Sequence, residues 1–177
     1  MAHRDKQKKS HLDREDLAGE HAVGDAGQFT LACLFLVTWV ADTFFFKYTT
    51  CLNQYVPIGV RIPLGIAVLV LAGYLAKTGM AMVFGEERDS PVMVTEGVFS
   101  VIRHPIYLGE LLLYVGLLVW SISLAAAVVW VLAIGFLHYI SRHEESLMLG
   151  IFGQEYERYM HQVPMWLPRL RKRSSEV

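Results

Sequence analysis

Charge is missing from most of this chain's length. Asp, Glu, Lys and Arg make up 19% of the 177 residues, and none occurs between Gln28 and Ala41, Ile62 and Ala76, or Leu111 and Ser141. Cysteine is equally scarce: Cys33 lies inside an apolar block and Cys51 just after one. That spacing rules out a disulfide framework or a cysteine metal site, and both read as packing residues. No metal is expected. Residues 1–27 lack an apolar run, so no signal-peptide core opens the chain. The net charge of −1 says little about partners because the charges are segregated, not absent; no nucleic-acid partner is expected.

What fills the gaps is hydrophobic residues, 54% of the chain. They come in blocks long enough to cross a hydrocarbon layer of ~30 Å, which takes about 20 residues of helix. The pattern predicts an all-α polytopic membrane protein with about four transmembrane helices. The first span is expected over Gln28–Phe46, with Asp42 and Lys47 at its far end, near water or near each other. The second runs from about Val56 to Ala76, with a continuation to Val83 open, and Pro57, Arg61 and Pro63 at its interfacial start. The third runs from Pro105 to Trp120. A tight turn at Ser121–Ser123 leads into the fourth, from Leu124 to Tyr139, so these two form an antiparallel helical hairpin. No proline interrupts Leu124–Leu149, a helix of about 39 Å whose last turns stand clear of the membrane. A short C-terminal helix is expected over Gln154–Gln162, with Phe152, Tyr156, Tyr159 and Val163 on one stripe. That stripe reads more naturally as membrane contact than as ligand contact.

Lys and Arg fall into the N-terminal tail, the second loop (Lys77, Arg88, Arg103) and the C-terminal segment; only Lys47 and Arg61 lie toward the opposite side. The positive-inside rule then places both termini, the Gly85–Ile102 loop and the C-terminal helix in the cytosol, and four spans satisfy that arrangement. Residues 1–27 form a hydrophilic flexible tail, 28–168 the membrane domain and 169–177 a basic C-terminal tail.

Three polar elements are expected to converge on the cytosolic face: the loop before Pro105, the start of the third span and the end of the fourth. Proline disfavours α conformation at His104 and suits the first helical position, so the helix begins at Pro105. Its unpaired N–H groups then make an anion-binding end suited to a carboxylate. Tyr107, Glu110 and Tyr114 share a face of that helix, and a glutamate at such depth is expected to face a cavity, not lipid. Each element also has a plainer reading. Arg103 and His104 read as headgroup contacts, Tyr107 and Tyr114 as packing, and Glu144-Glu145 as a solvated turn. Glu110 pairing with Arg61 or a tyrosine would merely hold helices together.

The ordered set is more specific than its parts. Thr95-Glu96-Gly97-Val98-Phe99, Arg103-His104-Pro105-Ile106-Tyr107-Leu108-Gly109, Glu144-Glu145, Phe152 through Tyr159 and Val163-Pro164 together resemble the isoprenylcysteine carboxyl methyltransferase superfamily, which includes the phospholipid methyltransferases. The resemblance covers about Ala76 to Pro168. It implies a membrane enzyme that moves a methyl group from S-adenosylmethionine to a lipophilic acceptor: an isoprenylcysteine-type carboxylate, a lipid amine or an apolar thiol. Carried over by motif, cofactor contacts fall on Val94, Gly97, Phe99, His104, Pro105, Ile106, Tyr107 and Glu144, with Glu145 beside them. Gly79-Met80-Ala81 is a weak counterpart of a glycine-containing segment in the phospholipid enzymes. Arg103 and Arg142 are the cations expected to orient an acceptor, and Glu110 lies on its route. Expected partners are the lipid substrate and membrane lipids. Gln162 stands where the eukaryotic isoprenylcysteine enzymes tend to have arginine, and Pro91 where histidine is common. Sterol reductases, which use NADPH on a related fold, carry an Arg-His-x-Asn-Tyr variant whose asparagine is missing here; a non-catalytic membrane assembly factor is the other alternative.

Overall fold

The computed structural model describes residues 22–85 and 91–168. Residues 1–21 of the tail expected over 1–27, the tail at 169–177 and the loop residues 86–90 lie outside the described residues, while 22–27 are helical, not a flexible tail. Among the described residues five α-helices form: α1 (Ala22–Val40), α2 (Ile58–Phe84), α3 (Pro105–Ser121), α4 (Leu124–Phe152) and α5 (Gln154–Gln162). No strand occurs among the described residues. α1 starts at Ala22, earlier than Gln28, and widens into a π-helical end over Ala41–Phe46. Lys47 stops it in the left-handed region at φ 55°, its N–H donating to Asp42 O at 2.8 Å. The turn between α3 and α4 is as tight as expected. Ile122 is left-handed at φ 45°, and Ser123 caps α4 by accepting the Ala126 N–H at 3.2 Å.

Small residues decide which helices touch. On α2, Gly65, Ala72 and Gly79 recur every seven residues, and on α3 so do Gly109 and Gly116. These rows face each other in an antiparallel seam. A Cβ at Gly109 would lie 3.0 Å from Ala72 O, one at Gly65 3.1 Å from Gly116 O, and one at Gly79 2.8 Å from Ile106 Cγ1. Membrane helices gain little from the hydrophobic effect against one another, so close backbone approach of this kind carries their association. α3 therefore packs most closely on α2, and its hairpin partner α4 packs on α1. Phe35 and Trp39 of α1, Leu111 and Tyr114 of α3, and Ala126, Val129, Ala133 and Leu137 of α4 build the main core.

The outward faces are apolar: Val37 of α1, Val70 of α2 and Val128, Val131 and Leu132 of α4 are all exposed. Three helices, Gly24–Phe46, Ile58–Phe84 and Leu124–Phe152, are long and apolar enough to cross a membrane, and α3 is a shorter apolar helix. The chain is thus a multi-pass membrane protein. α3 spans only about 25 Å, and it is the helix most enclosed by its neighbours. Tyr156 and Tyr159 are not lipid-facing. With Val163 they form a second core against Met93, Met148, Leu149 and Phe152, so the aromatic stripe folds α5 onto the end of α4.

Candidate active site at the start of α3

α3 begins at Pro105, as proline's fixed φ favours, and no side chain caps it. The Leu108 N–H returns to His104 O at 3.1 Å. The Ile106 and Tyr107 N–H groups make no hydrogen bond among the described residues, so they are available at the positive end of the helix.

Arg103 and His104 precede that end and are held from two directions. Their backbone N–H groups donate to Pro164 O and Met165 O at 3.0 and 3.2 Å, so the chain after α5 runs along them. The Arg103 side chain, 8% exposed, donates from Nη1 to Met160 O at 2.7 Å and Val163 O at 2.6 Å. Its Nε and Nη2 reach Glu145 Oε1 at 2.8 and 2.7 Å. The guanidinium thus spans the carboxyl end of α5 and the buried glutamate of α4.

Glu145 is 2% exposed and takes a second contact at Oε1, from His104 Nε2 at 3.3 Å. Its Oε2 has no hydrogen bond; Arg142 Nη1 lies 3.6 Å away, on a side chain that is 63% exposed. One helical turn earlier on the same face, the wholly buried Ser141 hydroxyl is also without a partner. On the other side of His104, Nδ1 is 3.6 Å from Glu144 Oε2. Tyr107 stacks on the His104 ring, centroids 5.6 Å apart, and its hydroxyl donates to Glu144 Oε1. His104 is therefore gripped between adjacent carboxylates of α4, with Tyr107 as its lid.

Glu110 sits one turn further along α3. Its Oε2 accepts from Gln28 Nε2 at 3.1 Å and its Oε1 from the Tyr114 hydroxyl at 2.5 Å. Pairing with Arg61 does not occur; Arg61 lies at the other end of the bundle. Phe99 is buried, and its carbonyl accepts from Tyr159 Oη at 2.6 Å. Burial raises the Tyr159 hydroxyl to about 12, so it stays a neutral donor; burial pushes Tyr156 upward as well. Gly97, at φ +54°, lies against Met82 of α2, where a Cβ would meet Sδ at 2.8 Å. An open apolar groove of about 530 Å³ separates the Gly97–Ser100 turn from α2.

The structure thus brings Arg103, His104, Pro105, Ile106, Tyr107, Glu144 and Glu145 into one cluster. Arg142 stands at its rim, and Val94, Gly97 and Phe99 follow the loop that leads to it. Ser141, Gln28 and the carbonyls of Met160 and Val163 were not singled out from sequence. Ser141 carried a usable signal, four residues before Glu145 on one helix face. The carbonyls carried none.

A phospholipid methyltransferase family model matches residues 60–155, and the chain belongs to that family. The protein-S-isoprenylcysteine O-methyltransferase of Mus musculus is 33% identical over 88 residues, covering 49% of this chain and 31% of the mouse protein. That of Tribolium castaneum is 30% identical over 115 residues, covering 59% and 41%. The chain therefore spans less than half the length of either relative. The solved structure of a eukaryotic intramembrane Ras methyltransferase, isoprenylcysteine carboxyl methyltransferase, matches with a TM-score of 0.60 at 25% identity, covering 85% of this chain and 54% of that one.

Proposed function

We propose that this chain is an integral membrane methyltransferase that moves a methyl group from S-adenosylmethionine to a lipophilic acceptor. The acceptor is a lipid amine, an isoprenylcysteine-type carboxylate or an apolar thiol. Both termini and the 85–102 loop face the cytosol, in keeping with the Lys and Arg distribution. Family membership supports the activity. The observation that carries the site is the juxtaposition at the start of α3 of unpaired Ile106 and Tyr107 N–H groups with the Glu144 carboxylate.

That donor set fits the cofactor's charges. The helix-start N–H groups suit its carboxylate, Glu144 suits a cationic group, and Phe99 and Tyr107 can flank its adenine. Val94, Gly97, Pro105 and Ile106 shape the wall. Bound there, S-adenosylmethionine supplies a methyl group activated on a sulfonium. The chain's part is alignment and the exclusion of water, since no protein nucleophile is needed. His104 and Glu145 keep Glu144 and Tyr107 in register, and Arg103 acts as a positioning residue because its Nε, Nη1 and Nη2 all hold Glu145, Met160 or Val163. Arg142 at the rim, 63% exposed, is placed to orient an acceptor. Glu110, one turn inward, lines its route.

Calorimetry on detergent-purified protein tests this. Binding of S-adenosylmethionine but not NADPH is expected. Glu144→Ala and His104→Ala should each lose about ten- to a hundredfold in affinity, as expected for one charged hydrogen-bond partner. Unchanged affinity in both variants would move the pocket elsewhere.

A further inference from the structure

The end of the bundle away from the site holds a second arginine whose chemistry is incomplete. Arg61, in the first turns of α2, is 9% exposed. Its Nη1 donates to Trp120 O at 2.6 Å and to Asn53 Oδ1. Its Nε is sealed from solvent without a partner, and Nη2 makes no hydrogen bond among the described residues. Next to Trp120, the Ser121 hydroxyl is 2% exposed and also unpartnered. The acid at this end does not complete the set. Asp42 takes the Thr49 hydroxyl at 2.5 Å, the Thr49 N–H at 3.0 Å and the Ser123 hydroxyl at 2.6 Å. No carboxylate of the described residues lies within ion-pair distance of Arg61.

A buried cation held by neutral acceptors alone is costly, and an anion relieves that cost. The surroundings say which kind. α2 is about 40 Å long, more than the ~30 Å hydrocarbon layer requires, so its first turns reach headgroup depth. The N-terminal end of α2 adds positive potential. Tyr48, Tyr55, Phe46 and Trp120 are exposed at the same end, as aromatic side chains are at a membrane interface. We propose that Arg61, through its Nη2, binds the phosphate group of a membrane phospholipid in the leaflet opposite the active site. This rests on the membrane placement of the helices and not on methyl transfer.

The test uses the full chain in a detergent without phosphate, titrated with phosphatidylglycerol or with diacylglycerol of the same acyl chains. Retention is read by native mass spectrometry and thermal stability by unfolding. The wild type is expected to retain one phosphatidylglycerol and gain stability from it, and to do neither with diacylglycerol. Arg61→Gln should weaken retention roughly ten- to a hundredfold, while Lys47→Gln, changing an exposed cation at the same end, should not. Equal retention of both lipids by the wild type overturns the proposal, even where Arg61→Gln does not fold. So does equal loss in Lys47→Gln, or stabilisation by inorganic phosphate as strong as by the lipid. S-adenosylmethionine binding, measured on the same sample, fails or succeeds separately.

Discussion

Among the described residues each end of the bundle buries one arginine and one carboxylate, and the two ends arrange them in opposite ways. At the site end Arg103 and Glu145 lie 2.7 Å apart, 8% and 2% exposed. At the other end Arg61 and Asp42 are 9% and 5% exposed, and each is held by neutral groups. Pairing turns the charge inward: Arg103 is engaged at Nε, Nη1 and Nη2, and Glu145 is fixed against His104. Non-pairing leaves donor capacity unmet. The paired end is a rigid frame around a site made by its neighbours, and the unpaired end is itself able to take a ligand.

The largest expected effect comes from breaking the pair. Glu145→Ala leaves Arg103 buried without its counter-charge, a change that costs about 3–5 kcal/mol. It also releases His104. Unfolding in mixed micelles should show the loss, and Glu145→Gln should recover part of it by keeping an acceptor. A loss below about 1 kcal/mol, the usual worth of an exposed pair, would mean that water reaches this pair and that the two ends do not differ.

Next comes the seam that joins the ends. A Cβ at Gly109 would stand 3.0 Å from Ala72 O and 3.1 Å from Ala76 N, backbone atoms that cannot turn aside. Gly109→Ala should destabilise by about 1–3 kcal/mol as the helices part. At Gly73, on the open side of α2, nothing lies within 4 Å, and alanine there should be neutral or gain up to ~1 kcal/mol from helix propensity. Equal behaviour of the two variants would remove the seam from the account.

Asp42 tests the unpaired end directly. Asp42→Ala strips the partner from the Thr49 and Ser123 hydroxyls, which also receive the Ala125 and Ala126 N–H groups at the start of α4. The cost of such a cap is about 1–2 kcal/mol. A loss as large as that of Glu145→Ala would show that Asp42 and Arg61 are coupled after all, and the contrast between the ends would fall.

The helices themselves were legible, because runs without charge and the proline at 105 set their existence and most of their bounds. The start of α1 was not: residues 22–27 are mostly small and include Asp25, so hydropathy does not mark them as helix. The partner of α3 was hidden because adjacency in sequence favours α4, while the glycine rows that choose α2 are a matter of spacing, not hydropathy. At the site, the motif placed His104, Tyr107, Glu144 and Glu145 in one region. It left Arg103 looking like a cation free to meet an acceptor. Only the return of the chain after α5 puts the Met160 and Val163 carbonyls on its guanidinium, and no local pattern announces a long-range contact with backbone.

The smallest effect concerns the tie between α5 and the loop. Tyr159→Phe keeps the ring in its core and removes only the hydroxyl that donates to Phe99 O. At neutral pH the loss should be about 0.5–1.5 kcal/mol, the net worth of one hydrogen bond. Alkali separates this tie from simple packing. Burial holds the folded tyrosine near 12 against 10.0 for the exposed phenol, so above pH 10 the unfolded chain releases this proton first. The stability it contributes is therefore complete below pH 10 and declines as pH rises toward 12. Wild type should lose its margin over Tyr159→Phe across that window, the two unfolding curves converging. Curves that stay parallel from pH 8 to 11.5 would mean that the Tyr159 hydroxyl is open to water and does not tie α5 to the loop beside the site.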